Sequence, residues 1–266
     1  MTAVIGRLGY IRPIGEVVFS HPSCNPELEN LDWDWRDVEI GDARRVEGGG
    51  CTLERHGFTT MPHPTAVTNW EGTAWQPQFE QEAVAMVQQA TGAAKVVVSH
   101  YSFLPRSTRF AAEGGPLGFC HNDYTGGSAA RHIARDCPEL APDFLKKRFA
   151  IYNLWHLISP PPQSVPLALC DATTVAIADL IPAEARAGTK EKPFVFGENS
   201  MFRYSPRHRW YYYPDLRNDE TLVWCGYDSD PQFPSIVPHA AFKDPSVKDP
   251  KAERTNVHGA VYAFFD

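Results

Sequence analysis

The chain has 266 residues, 25 basic and 32 acidic side chains and a formal net charge of −7, with 43% hydrophobic residues. This length suits one large domain or two small ones, and the apolar content allows a sizeable core. The acidic balance argues against a nucleic-acid partner, because such proteins present a basic surface.

No apolar run approaches the roughly eighteen residues of a membrane helix. Met1 to Arg7 lack the long apolar segment of a secretory leader. A cytoplasmic protein with no membrane partner is expected. The six cysteines (Cys24, Cys51, Cys120, Cys137, Cys170, Cys225) form no C-x-x-C pair. They are expected to be free, buried and apolar in role, with no structural zinc.

An aromatic content of 12% and 23 prolines favour a β-rich chain with many turns. Residues 1–60 read as short extended pieces, among them Val17-Val18-Phe19, Val38-Glu39-Ile40 and Phe58-Thr59-Thr60-Met61, with a break at Gly48-Gly49-Gly50. Trp33 and Trp35 read as packing residues, with a substrate lid as the minority reading. Phe79, Ala83, Met86, Val87 and Ala90 recur at helical spacing and predict a helix over 74–91 ended by Gly92. Lys95 to Tyr101 is a β-branched strand, followed by the basic segment around Arg106 and Arg109 and a turn at Gly114-Gly115-Pro116.

Ser128 is placed to cap a helix through Ala129 to Arg135, and a second short helix is expected from Pro142 to Lys147. Further strands are expected at Arg148–Trp155, Leu167–Asp171, Arg209–Tyr213, Leu222–Cys225 and Gly259–Phe265. Residues 180–200 read as loop-rich and charged, and 243–253 as a charged loop. Neither a repeat nor a linker is evident. The simplest organisation is one domain, with N-terminal strands and a covering helix over 1–94 and the main β core over 95–266.

The chemistry centres on Phe119-Cys120-His121-Asn122-Asp123-Tyr124-Thr125. On a strand, residues i and i+2 share a face, so His121 and Asp123 would converge. They would supply two of the three ligands of a 2-His-1-carboxylate site for non-haem Fe(II). A third ligand must come from a distant strand. Of the ten histidines, His208 lies between two arginines, which disfavours a metal. His132 falls on the helix after the motif. His239 ends the apolar piece Ile236-Val237-Pro238, and its small neighbours Ala240 and Ala241 leave room for a metal. Arg254 follows fifteen residues later. Asp171 and Asp228 read as turn or network residues.

The order and spacing of several segments add a resemblance. They are His121 to Thr125, Asn153-Leu154-Trp155, Pro166 to Ala172, His208 to Tyr212, Tyr227-Asp228-Ser229-Asp230, Pro238 to Phe242, and Arg254 through to Phe264-Phe265-Asp266. Together they resemble the AsaB hydroxylase/desaturase family, which also includes gibberellin-desaturase-like and CmcJ-like proteins. Gly57-Phe58 and Val96-Val97-Val98 extend the likeness more loosely over the first half.

The resemblance implies a mainly β fold with flanking helices, a cupin-like double-stranded β-helix or jelly roll. It further implies an Fe(II)- and 2-oxoglutarate-dependent dioxygenase of secondary metabolism that hydroxylates, desaturates or cyclises a small molecule. His121, Asp123 and His239 would be the metal ligands, and Arg254 would hold the far carboxylate of 2-oxoglutarate with its planar fork. Asn153 reads either as a co-substrate contact or as a satisfied core amide. Two positions depart from the family pattern: Asn256 stands where a serine commonly assists the arginine, and Ala260 where an arginine is frequent.

For the substrate, Arg106, Arg109, Tyr124, Trp210 and Tyr212 are expected near the barrel mouth, the arginines suiting a carboxylate. The competing reading makes them an exposed cationic strand with aromatics in the core. Two other functions stay open: a metal enzyme on this barrel that does not use 2-oxoglutarate, and a non-catalytic jelly-roll binding protein. A serine hydrolase finds no Gly-x-Ser-x-Gly elbow.

Overall fold

The computed structural model describes residues 3–21, 27–100, 103–107, 118–248 and 253–266. Two sheets face one another. The larger runs in the order β1 (Ala3–Arg12), β3 (Asp32–Asp42), β12 (Trp210–Tyr212), β9 (Leu167–Cys170), β14 (His239–Ala241), β7 (His121–Asn122), β11 (Lys192–Phe202), β10 (Leu180–Thr189) and β2 (Val18–Ser20). The smaller runs β4 (Phe58–Pro62), β13 (Glu220–Asp228), β8 (Phe149–Leu157), β15 (Thr255–Phe264) and β5 (Lys95–Val98), with β6 (Leu104–Ser107) pairing the first part of β15. This is the jelly roll. Strands from before residue 95 extend both sheets.

The larger sheet curls. Gly9 of β1 exchanges backbone hydrogen bonds with Gly118 and Cys120, the segment leading into β7. Tyr10, Ile40, Cys120, Cys170, Trp210, Tyr212 and Ala240 fill that curl on one face of the sheet. The opposite face packs on the smaller sheet through Leu169, Tyr211, Trp155, Leu157, Leu222, Trp224 and Val237. Alternation along each strand divides the two cores: Ala240 goes to the curl while His239 goes between the sheets.

β8 is buried along its whole length. One face meets the other sheet, and the other carries the helix α2 (Gln76–Thr91). Phe79, Ala83 and Val87 make up the buried stripe of α2, and Gly92 ends it at φ 68°. The helical spacing thus marks a cover for the sheet. The short helix α1 (Leu53–His56) is capped by the Thr52 hydroxyl and ended by Gly57 at φ 84°. A side chain at Gly57 would also meet Val237 Cγ2 at 2.6 Å, so both conformation and space call for glycine there.

Several sequence expectations change. Residues 180–202 are not loop-rich: β10 and β11 form a long antiparallel ribbon with a bulge at Ala185 and Arg186. Its outer half projects into solvent, with Phe194 and Val195 more than half exposed, so no buried alternation marks it in the sequence. The helix after the motif is α3 (Gly126–Asp136), and its cap is Thr125; Ser128 is the reciprocal partner in a capping box. The second helix is shorter than expected, α4 (Ala141–Phe144). Trp33 and Trp35 lie on β3, tilted against one another at 5.6 Å, and Trp33 packs on Phe119. Cys51, Cys120, Cys137, Cys170 and Cys225 are buried and free. Cys24, the turn at 114–116 and part of the 243–253 loop lie outside the described residues.

Candidate metal centre

His121 and His239 sit directly opposite one another on antiparallel β7 and β14, with ring centroids 4.2 Å apart. Each ring is held by a backbone carbonyl two residues earlier: His121 Nδ1 donates to Phe119 O at 3.0 Å and His239 Nδ1 to Val237 O at 3.2 Å. A carbonyl accepts only, so Nδ1 carries the proton in both rings and Nε2 presents its lone pair. Those Nε2 atoms lie 3.8 and 3.7 Å from the two Asp123 carboxylate oxygens. Ligand atoms of His121, Asp123 and His239 all fall within 4.8 Å of one another.

The route to this convergence differs from simple strand alternation. β7 ends at Asn122, and Asp123 lies on the bend before α3. Two amides hold that bend. Asn122 Nδ2 donates to Tyr124 O at 2.8 Å and Gly226 O at 2.9 Å, and Asn153 Nδ2 donates to Asp123 Oδ2 at 2.8 Å. Burial alone would push the Asp123 carboxyl up; the imidazoles of His239, His121 and His258 outweigh it and hold the group below its usual range. Burial, reinforced by His121, drives His239 down to about 3, so it is neutral and ready to ligate at any ordinary pH.

Arg254 lies just before β15 and is 4% exposed. Its Nη1 donates to Val165 O at 2.8 Å, and its guanidinium carbon sits 5.4 Å from the Trp155 ring. Nε is buried without a partner. No carboxylate of the described residues forms an ion pair with it. Burial lowers it to about 10, so it stays charged at neutral pH. An unpaired buried cation facing the space between the sheets suits an incoming carboxylate.

Other expected site residues divide. Arg106 lies on β6, opposite Asn256 in register and exposed. Arg109 falls outside the described residues. The Tyr124 ring follows the Asp123 bend, perpendicular to His132 at 5.6 Å. Trp210 and Tyr212 are corrected: both belong to the curl core, on the opposite face of the larger sheet from His239. Trp210 Nε1 donates to Tyr10 Oη at 2.8 Å, and Tyr212 packs edge-on against Phe242. Their places follow from Tyr211, which takes the inward position between them. Asn153 touches the Asp123 carboxylate itself. Asp228 pairs with Arg148 at 2.8 Å and Asp171 caps a turn at Thr173.

Sequence reasoning missed Trp224 and His258. The Trp224 ring lies 4.8 Å from His239 and stacks on His258 at 5.5 Å. The signal was available: Arg254, Asn256 and His258 alternate along a strand whose other positions are mostly apolar, and buried polar residues are the informative ones.

A family model described as an oxidoreductase/YMDC permease-like domain matches residues 8–260. The Fe(II)/2-oxoglutarate-dependent dioxygenase nvfI of Aspergillus novofumigatus is 29% identical over 91% of this chain and 88% of its own. The hydroxylase/desaturase asaB of Aspergillus flavus is 33% identical over 47% of this chain and 60% of its own. Among solved structures, the iron and alpha-ketoglutarate-dependent endoperoxidase NvfI superposes with a TM-score of 0.85 at 25% identity, covering 99% of this chain and 98% of that one. With the model matching nearly end to end, the chain belongs to this oxidoreductase family, together with the AsaB-type hydroxylase/desaturases.

Proposed function

We propose that the protein is an Fe(II)- and 2-oxoglutarate-dependent dioxygenase that hydroxylates, desaturates or oxidatively cyclises a small molecule of secondary metabolism. The observation that carries this reading is the His121–Asp123–His239 cluster, set between the sheets with the unpaired Arg254. Two imidazoles and one carboxylate make a donor set suited to Fe(II) that leaves metal positions open for other ligands. The orphaned Arg254 Nε supports the co-substrate assignment.

In this reading His121 and His239 bind through Nε2, and Phe119 and Val237 hold their tautomers. Asn153 orients the Asp123 carboxylate. Arg254 takes the far carboxylate of 2-oxoglutarate. Trp224 and Leu169 close the apolar side and keep water from the reacting atoms. Iron bound there would supply the oxygen chemistry that side chains cannot perform, and the protein contributes position and dryness. Arg106 lies at the edge of the smaller sheet, where it would suit a substrate carboxylate, with Arg109 and Tyr124 as further contacts. The likeness to an endoperoxidase adds oxygen insertion to the possible outcomes. The buried free cysteines fit a reducing, cytoplasmic setting, and the whole chain reads as one oxygenase domain.

The test is oxygen uptake and succinate formation. Both should require Fe(II) and 2-oxoglutarate together. Arg254→Ala should raise the 2-oxoglutarate requirement about tenfold or more, as expected for a lost charge-assisted pair, while iron uptake stays close to wild type. Oxygen uptake indifferent to 2-oxoglutarate would instead indicate a metal enzyme with another co-substrate.

A further inference from the structure

The face of the larger sheet that carries the metal cluster continues past it onto the β10–β11 ribbon. His239, His121, Met201 and Ile181 are register neighbours on four successive strands, so their side chains leave the sheet on the same side. Asn199 stands two residues before Met201 and shares that side. It lies one step beyond the Ser200–Asn122 pair, level with the bend that carries Asp123. Neighbouring strands are about 4.8 Å apart, and β7 lies between β14 and β11. Asn199 therefore borders the cluster on the flank away from His239.

Asn199 is partly buried, and its Oδ1 is closed off from solvent without a hydrogen-bond partner. It is the one such side-chain atom among the described residues of β10 and β11. Charged side chains of the ribbon's inner half are engaged elsewhere. Glu198 accepts from the Thr125 hydroxyl and pairs with Arg131 at 3.3 Å. Arg186 pairs with Glu184 at 2.7 Å and lies over the Phe19 ring.

The side chains around Asn199 are small. Its register partner is Ala183, and the next pair outward on the same side is Gly197 with Ala185. A Cβ at Gly197 would meet nothing nearer than Ala185 Cβ at 3.8 Å, so open space stands over that pair. Met201, Ile181, Phe119 and Val18 bound the inner end of the shelf with apolar surface. The shelf has room for a ring system, and the lone carbonyl at its edge has one hydrogen bond to make. A carbonyl oxygen only accepts, so its partner must donate. Apolar walls without a free carboxylate disfavour an ammonium, because a buried charge must be paired. A neutral hydroxyl meets both demands.

We propose that Asn199 is a substrate-binding residue: Oδ1 accepts a hydrogen bond from a hydroxyl group on an otherwise apolar ring system that rests on Ala183, Ala185 and Gly197. The inference rests on the dioxygenase reading above and gives its substrate a chemical class, a neutral alicyclic alcohol. The hydrogen bond selects which carbon faces the metal cluster. The strand is a firm support for that contact, because Glu198 ties it to α3, the helix that follows Asp123.

The experiment is anaerobic equilibrium dialysis of the Fe(II)- and 2-oxoglutarate-loaded protein against decahydro-2-naphthol and 2-decalone. The two probes share one ring system and differ by a hydroxyl against a carbonyl. Wild type should bind the alcohol about threefold to tenfold more tightly, the range for one neutral hydrogen bond. Asn199→Leu removes the acceptor at similar volume and should bind the two probes alike. Its Tm should be no lower than wild type, because the lost oxygen has no partner in the free protein; an amide with a merely structural role would lower it. Gly197→Val, placed where a Cβ meets no clash, should weaken both probes about tenfold or more by filling the shelf, the loss when a ring system gives up roughly 1.4 kcal/mol or more of contact. Fe(II) uptake should stay at wild-type affinity.

Equal affinity of wild type for the two probes, tighter binding of the ketone, or binding of neither would overturn the inference. So would an alcohol preference that survives in Asn199→Leu, or probe binding indifferent to Gly197→Val. Wild type that takes up Fe(II) but not 2-oxoglutarate would overturn the parent reading instead, and the same dialysis on the Fe(II)-loaded protein then still decides the alcohol preference.

Discussion

Asn153 Nδ2 donates a 2.8 Å hydrogen bond to Oδ2 of Asp123, and Oδ2 is also the oxygen that faces His239. The amide therefore fixes the rotation of the one carboxylate in the His121–Asp123–His239 cluster. Partners of this kind typically change metal affinity about 10- to 100-fold. Asn153→Ala should weaken Fe(II) binding by about that factor while leaving the fold intact. Competition against a fluorescent chelator measures it, and wild-type affinity in the variant would show that the Asp123 bend holds itself.

Gly226 sits at the irregularity where β13 slips against β8. A Cβ there would lie 2.9 Å from the Tyr124 ring and 3.1 Å from Asn153 Nδ2. Gly226→Ala must displace one of them. Overpacking of this kind costs about 1–3 kcal/mol, and moving Asn153 should weaken Fe(II) binding too. Urea unfolding and the chelator assay, run on the same preparation, read both effects. A variant unchanged in both would mean that the ring moves away freely.

Trp210 and Tyr10 are joined by a 2.8 Å hydrogen bond on the far side of the sheet. Trp210→Phe should lower stability by about 1–3 kcal/mol through the lost donor and the reduced volume. It should leave Fe(II) and 2-oxoglutarate affinity at wild-type values. A selective loss of ligand affinity without loss of stability would return Trp210 to the site.

A second buried polar network lies under α2. His63 Nδ1 and His156 Nδ1 both reach the Thr221 hydroxyl, at 2.7 and 2.9 Å, and His63 Nε2 meets Glu82 at 3.1 Å. Burial, with the nearby His63, lowers His156 to about 4. The unfolded chain therefore binds this proton first, at its ordinary value near 6.5. The contribution of His156 is full above about pH 6.5, falls as the pH drops, and is lost near pH 4, for a total of about 3 kcal/mol. Denaturation midpoints of the metal-free protein between pH 7 and 4 should fall more steeply in wild type than in His156→Gln. Parallel pH profiles would refute the assignment.

The sequence carried much of this site because its strongest signals are local. His121, Asp123 and His239 stand out through chemistry, and the α2 stripe through its period. The two sides of β12 were harder to assign. Trp210, Tyr211 and Tyr212 are all aromatic, so nothing in residue type says which faces the curl and which the other sheet. The ribbon of β10 and β11 escaped notice because much of it meets water on both faces. Asn122 and Asn153 hold the bend through contacts 104 and 30 residues away, and such distances are set by the fold. The polar column of β15 was legible as a pattern, but its unpaired state emerges only when every neighbour is in place.

The most direct measurement is anaerobic addition of 2-oxoglutarate to the Fe(II)-loaded protein, followed by visible absorption. A metal-to-ligand charge-transfer band should appear, saturate at one equivalent, and vanish in His121→Ala and Asp123→Ala. Wild-type protein that binds Fe(II) but never develops the band would contradict the account.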